Sequence, residues 1–258
     1  MQHAEGYVRF ETDHGIATVE FYHPASNSLP GAILSDLAKT INDIGIDDSI
    51  KVIILKSAGE KAFCAGASFD ELVAISNEEQ GKTFFSGFAN VINAMRKSHK
   101  LIIGRIHGKA VGGGVGLAAA VDYAIATEDA SVKLSELAVG IGPFVVGPAV
   151  ERKIGLSCFS QLAIDATEWR SAEWAKKHGL YAEIHSSVEE MDEAIQGLAQ
   201  RLANSSPEAM HQLKKIFWQG TEHWDTLLAE RAAISGRLVL SDFTREAINK
   251  FKAKTVKQ

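Results

Sequence analysis

In this 258-residue chain the residues best placed to do chemistry are a run of glycines, Gly112-Gly113-Gly114. They follow a strand-like run and precede the small-residue stretch from Leu117 to Val121. Three readings compete. In the first, Gly114-Val115-Gly116-Leu117-Ala118-Ala119 is a degenerate dinucleotide fingerprint, whose glycines let backbone approach a pyrophosphate. Glu136 stands twenty residues after Gly116, where a ribose-binding acid belongs. Against it, roughly a hundred residues precede the motif, whereas such motifs open a nucleotide domain. In the second, the small residues only allow close helix packing. The third uses the backbone. A glycine turn at a helix start leaves unpaired N–H groups at the positive end of the helix dipole, a site for an oxyanion. One donor helps modestly, and two converging donors make a hole. The second must come from another loop, and Ala65-Gly66-Ala67 is the candidate.

The elements that must hold these segments follow from periodicity. Residues 7–11 and 16–21 are β runs separated by Asp13-His14-Gly15, which predicts a hairpin. After Pro30, Ile33, Leu37, Ile41 and Ile44 recur at helical spacing. Val52-Ile53-Ile54-Leu55 reads as a buried strand, residues 63–67 as a small-residue loop, and the runs 101–106 and 123–126 as further strands. Strands alternating with helical segments give an α/β class. The last third turns helical. Ser171 starts a short helix ending at Gly179, and Met191, Ile195, Leu198 and Leu202 mark a second. Ser206-Pro207 opens a third, continued by Met210, Leu213 and Phe217. Trp224, Leu227, Leu228 and Ile234 carry the pattern on.

Composition narrows the function classes. The chain is 46% hydrophobic and 23% charged, with a net charge of −5 and a pI near 6.0. That argues against nucleic acid as a partner, since binding it needs a positive footprint. Cys64 and Cys158 are the only cysteines, so no disulfide framework or thiolate metal cluster is expected. His99, His178 and His211 show no metal spacing. No secretory signal is visible, and the apolar run 138–150 is short of the roughly 20 residues of a membrane span. The expectation is a reduced, soluble, cytoplasmic protein without a metal.

Residues 63–72 and 108–122, taken together, resemble the enoyl-CoA hydratase/isomerase (crotonase) superfamily. Residues 23–29, 130–140 and 206–209 with Lys214 resemble its other segments. The resemblance displaces the dinucleotide reading. It implies a crotonase-like spiral of β-β-α turns over residues 1–200 and a C-terminal helical region, 201–258, that drives assembly into a homotrimer or a dimer of trimers. It implies acyl-CoA thioester substrates, with CoA as part of the substrate and no separate cofactor. Ala67 and Gly113 match the two backbone N–H donors to the thioester oxygen. Ala65, Gly66, Ala67 and Ser68 match a loop whose backbone holds the adenine, although Ser68 stands where aspartate is frequent. Ser26, Asn27 and Ser28 match a segment flanking the pantetheine.

The carboxylates bear on the reaction. Family hydratases carry one glutamate two residues after the glycine triplet and another twenty residues later. Here the first position is Gly116 and the second Glu136. One carboxylate suffices to move a proton between carbons, so an enoyl-CoA isomerase is favoured. The alternatives are an enoyl-CoA hydratase with an unmatched second acid or a water near Gly116, and a degenerate acyl-CoA-binding subunit. Gly116→Glu is expected to restore hydration if the side chain fits. The apolar neighbours Leu134, Leu137, Val139 and Ile141 should raise the pKa of Glu136. Leu72, Phe84, Phe85 and Phe88 are candidates to line the acyl pocket. Asp122 and His107 read as structural, Cys64 as a buried thiol, and the basic tail as a solvated face. Met210, Phe217, Trp218, Trp224 and Leu228 read as an assembly interface.

Overall fold

The chain starts as its turn chemistry requires. The computed structural model describes residues 6–255, with the backbone alone for 251–255. Strands β1 (Tyr7–Asp13) and β2 (Ile16–Tyr22) pair antiparallel, from Tyr7 opposite Tyr22 to Asp13 opposite Ile16. His14 and Gly15 turn at φ 45° and 80°, the left-handed geometry of a two-residue hairpin loop. After β3 (Ser28–Leu29), helix α1 (Gly31–Gly45) buries the predicted stripe Ile33, Leu37, Ile41 and Ile44.

From there one unit repeats. β4 (Val52–Ser57) enters a large sheet, β5 (Ala62–Cys64) and β6 (Gly66–Ala67) leave it, and α2 (Phe69–Ala74) and α3 (Glu78–Lys97) return. β7 (Leu101–Ile106), β8 (Lys109–Val111) and α4 (Gly113–Ala120) follow the same course. So do β9 (Tyr123–Thr127), β10 (Val132–Lys133), a 3-10 turn at Glu136–Val139, and α5 (Gly147–Ile164). After α6 (Ala172–Lys177), β11 (Glu183–His185) completes the large sheet, ordered β1-β2-β4-β7-β9-β11. A small sheet is ordered β10-β8-β5, and β3 pairs with β6. This is the expected spiral of β-β-α turns. The expected loop at residues 63–67 is two short strands meeting at Ala65.

The large sheet is buried on both faces, which explains the unbroken apolar runs in its strands. Alternation sends Ile53 and Leu55 into the main core and Val52 and Ile54 to the other face. There they meet Met191, Ile195 and Ala199 of α7 (Val188–Ala203). The division at residue 200 thus falls within a helix that packs on the spiral. Helices α8 (Pro207–Phe217), α9 (Trp224–Leu238) and α10 (Asp242–Thr255) follow.

The interface expectation for this region needs correction. Met210, Trp218, Trp224 and Leu228 are buried inside the protomer. The reason is that α9 folds back along α3 at a close crossing, where a Cβ on Gly81 would lie 2.6 Å from Gly236 Cα. Phe217 alone of the five is exposed, beside Leu213 and Ile216 on α8. Asp122 anchors α8 to the sheet. Its carboxylate accepts from Ile102 N at 2.8 Å, Lys214 Nζ at 2.6 Å and Trp218 Nε1 at 3.0 Å. Lys214 and Asp122 are both buried, so removing either would strand a charge. Arg245 and Lys250 of the basic tail are exposed, and the side chains of Lys252, Lys254 and Lys257 lie outside the described residues. Among the described residues no helix is long and apolar enough to cross a membrane, and no three His, Cys, Asp or Glu side chains are grouped to hold a metal ion.

His107 follows β7 and is 7% exposed. Gly59 approaches it, yet neither ring nitrogen completes a hydrogen bond. Burial, aided by the Arg105 charge, pushes its pKa down to about 4. The unfolded chain therefore binds a proton first as pH falls, and stability is lost from about pH 6.5 down through about pH 4. The loss is at most ~3 kcal/mol. Urea unfolding at about pH 7 and pH 4.5 should show a smaller acid loss for His107→Asn than for the unmodified protein. Equal losses would show that His107 does not carry the effect.

Candidate active site

Three backbone segments meet where the sequence placed its chemistry. The first is β5–β6. Phe63 and Cys64 are buried, and burial pushes the Cys64 thiol up to about 12, so it is no nucleophile. Gly66 turns at φ 94°, and a Cβ there would lie 3.2 Å from Val111 O and 3.7 Å from Gly113 N. Ala65 N donates to Asn27 O and Ser68 N to Leu29 O, so the edge facing β3 is used at those positions. With the N–H of Ser68 on β3, alternation turns the N–H of its neighbour Ala67 away from that strand. Ser28 Oγ donates to Ala67 O at 2.9 Å and fixes the peptide that follows, between Ala67 and Ser68.

The second segment is the entry to α4. Gly112 adopts φ 52° and ψ −113°, and its N–H donates to Lys133 O at 2.9 Å. Its carbonyl accepts from Val115 N and Gly116 N and closes the first helical turn. Gly113 is the first residue of that helix, so its N–H has no intrahelical acceptor. A Cβ on Gly113 would lie 2.3 Å from Phe88 Cζ, so no side chain fits.

The third segment carries Glu136, the first residue of the 3-10 turn. A Cβ on Gly112 would lie 3.0 Å from Glu136 Oε1. The residue is half-buried, and its Oε2 is buried and without a hydrogen-bond partner. Burial pushes the carboxyl pKa up to about 7. The cause is the one expected, although Leu137 points outward and is 49% exposed. A group with this pKa changes protonation cheaply near neutrality, as an acid–base catalyst must.

These segments wall a cavity of about 520 Å³. Leu72, Phe84, Phe85 and Phe88 all reach it, as expected, and Phe144 and Trp169 join them. Glu136 is its one carboxyl among the described residues. Gly116 does not open onto spare space. A Cβ there would lie 2.5 Å from Val146 Cγ1 and 2.8 Å from Val146 Cβ. The expected Gly116→Glu restoration is therefore sterically blocked, and the apolar contact offers a water no partner.

The other expected binding residues divide. Ala65, Gly66, Ala67 and Ser28 line the cavity, whereas Ser26, Asn27 and Ser68 do not. Ser26 is exposed. Asn27 is 2% exposed and its amide is used up internally. Its Oδ1 accepts from His23 N, and its Nδ2 donates to Ala58 O and Ala62 O, which ties down the approach to β5. Ser68 is buried and its hydroxyl caps α2. Sequence reasoning missed the part of Val146, whose only signal was its place in an apolar run, and of Trp169, which had none.

With this geometry established, comparison with known proteins gives one answer. The sequence model of the enoyl-CoA hydratase/isomerase family matches residues 11–255. A probable enoyl-CoA hydratase of Bacillus subtilis is 27% identical over 249 residues, covering 96% of each chain. A peroxisomal Delta(3,5)-Delta(2,4)-dienoyl-CoA isomerase of Arabidopsis thaliana is also 27% identical, over 94% of this chain and 91% of that one. The crystal structure of enoyl-CoA hydratase from Bacillus halodurans superposes with a TM-score of 0.87 at 21% identity, covering 95% of this chain and 99% of that one.

The buried carboxyl has a consequence for stability. Its folded pKa lies above the ordinary 4.5, so its contribution is full below about pH 4.5 and is lost as pH rises through about 7. Glu136→Gln removes this penalty. The variant should exceed the unmodified protein in stability at about pH 8, by at most ~3 kcal/mol, and the gap should close near pH 4.5. Denaturant titrations across that range test it, and a gap independent of pH would count against a buried, titrating carboxyl.

Proposed function

Because the chain belongs to the enoyl-CoA hydratase/isomerase family, we propose that it binds an acyl-CoA thioester and shifts a double bond with one carboxylate. The observation that carries this reading is Glu136. It is the only cavity-lining carboxyl among the described residues, is desolvated, and has its pKa near 7.

The steps balance with this residue alone. The thioester oxygen accepts from the N–H groups of Ala67 and Gly113. The Glu136 carboxylate takes a proton from C2 of a 3-enoyl thioester. The C–H electron pair becomes the enolate π bond, and negative charge moves onto the oxygen held by the two donors. The protonated Glu136 then returns its proton to C4, and the double bond settles between C2 and C3. No water is consumed and no electron acceptor is needed. Losing one oxyanion donor typically costs about 3 kcal/mol of transition-state stabilisation. Ser28 steadies the chain beside one of the donors by holding the Ala67–Ser68 peptide. CoA enters as part of the substrate, with the backbone of residues 65–67 on its path. Three copies assemble through the apolar row Leu213, Ile216 and Phe217, which one protomer leaves exposed.

A hydratase is the second reading, favoured by the names of relatives such as the short-chain-enoyl-CoA hydratase of Clostridium acetobutylicum, 28% identical over 247 residues. The Gly116–Val146 contact weighs against it, since it occupies the side where a second acid would stand.

Turnover separates the two. The unmodified protein should convert 3-hexenoyl-CoA to the 2-enoyl isomer faster than it hydrates crotonyl-CoA. Glu136→Gln should lower isomerisation by roughly 10²–10⁴ or more while thioester affinity stays nearly constant. Fast hydration without isomerisation would establish the hydratase reading, and an unchanged rate in the variant would remove Glu136 from the mechanism. Calorimetry supplies a second check. Crotonyl-CoA should bind more tightly than free CoA, because only a thioester offers an oxygen to Ala67 and Gly113, and equal affinities would argue against a working oxyanion site.

A further inference from the structure

The rim of the cavity carries a charged feature that the proton shift does not use. β8 and β10 run parallel with Lys133 opposite Val111. Alternation puts Lys109, Val111 and Lys133 on one face, while Ala110 and Val132 point into the core and are 0% exposed. Val111 and Lys133 line the cavity. Trp169 also lines it and is 40% exposed. Its ring centroid is 5.1 Å from Lys109 Nζ and 4.5 Å from Lys133 Nζ. Paired backbone hydrogen bonds between Val132 and Arg170, 2.9 Å each, hold the segment bearing Trp169 against β10.

Neither ammonium has a carboxylate within ion-pair distance among the described residues. Elsewhere Lys56 pairs with Glu20, Arg105 with Asp192 and Lys214 with Asp122, while the unpaired Lys153 donates to Asp122 O and Arg152 lies over the Trp218 ring. Two like charges that share one indole lie within about one Debye length of each other, ~10 Å at 0.1 M salt, and repel. The ring quadrupole attracts each cation without neutralising it. An oxyanion placed between them would remove the repulsion and accept charge-assisted hydrogen bonds from both.

We propose that Lys109, Lys133 and Trp169 form an anion-binding rim that holds a carboxylate or phosphate group of the thioester ligand. The inference rests on the thioester reading of the cavity, but anion binding can be measured without it. Two parts of such a ligand carry this chemistry, the phosphates of CoA and a second carboxylate at the far end of the acyl group.

The test uses the full chain and the variants Lys109→Met, Lys133→Met and Trp169→Phe. Pyrophosphate and glutarate are titrated first, followed by indole fluorescence and calorimetry. Crotonyl-CoA, crotonyl-pantetheine and glutaconyl-CoA follow. Lys133→Met should weaken at least one anionic ligand by roughly tenfold or more, and Lys109→Met should do the same to a smaller extent. The fluorescence change should be lost in Trp169→Phe. A loss with crotonyl-CoA that is absent with crotonyl-pantetheine identifies a CoA phosphate. A loss confined to glutaconyl-CoA identifies an acyl carboxylate. If no thioester binds but pyrophosphate or glutarate binding falls in the lysine variants, the rim stands and the thioester reading falls. Affinities within about twofold of the unmodified protein for all five ligands overturn the proposal.

Discussion

At Gly112 and Gly113 the backbone passes between Glu136 and Phe88 with no space for a side chain on either residue. A Cβ on Gly112 would press on the Glu136 carboxylate at 3.0 Å, and one on Gly113 would enter the Phe88 ring. The segment around Gly66 closes from a third side, against Val111 and the Gly113 amide. Packing this tight requires glycine at these positions and lets the three backbone segments approach one another closely. The elements around it supply the pressure. α3 brings Phe88, β10 accepts the Gly112 amide through Lys133, and the Asn27 amide and Ser28 hydroxyl set the β5–β6 segment.

The same closeness creates an electrostatic conflict. Glu136 buries a carboxylate oxygen to which nothing donates. Folding tolerates this because the surrounding core is extensive. The large sheet is covered on both faces, and the most deeply buried ion pair, Asp122 with Lys214, is complete and doubly supported by Ile102 and Trp218. A buried acid without a partner is what a proton-transfer site can use and what a purely structural site would avoid.

Legibility in the sequence tracked the length of the signal. The hairpin, α1 and the long strands were readable because each carries a full period of apolar residues. Strands β5, β6, β8 and β10 have two or three residues and no period, so the small sheet that carries the site could not be seen in the pattern. The glycine run admitted three readings. Close packing is the one the contacts of Gly113 and Gly116 bear on directly, and Gly113 also lines the cavity. The last third misled for a definite reason. Met210, Trp218, Trp224 and Leu228 are as apolar as an interface, but α9 returns over α3, a contact with no local sequence mark. Asn27 was expected beside the ligand, yet its amide is spent on three backbone partners, which only the fold reveals.

On the proposed reading, the choice between adding water and moving a proton turns on the contact of Gly116 with Val146. A second carboxylate two residues beyond the glycine triplet needs a side chain at residue 116 and a space for water beside it. Here the methyl groups of Val146 fill that space, with Ile92 3.6 Å from where a Cβ would lie. One substitution cannot reverse this, because adding the acid without removing the valine overfills a packed helix. An enolate formed in such a cavity has one carboxyl beside it among the described residues, Glu136, whose pKa of about 7 lets it give the proton back as readily as it took it. The carbon that receives the proton is then decided by where the ligand lies against that single carboxyl. Specificity then belongs to the residues that set the ligand's depth, the phenylalanines of α3 at one end of the cavity and the charged rim beside Trp169.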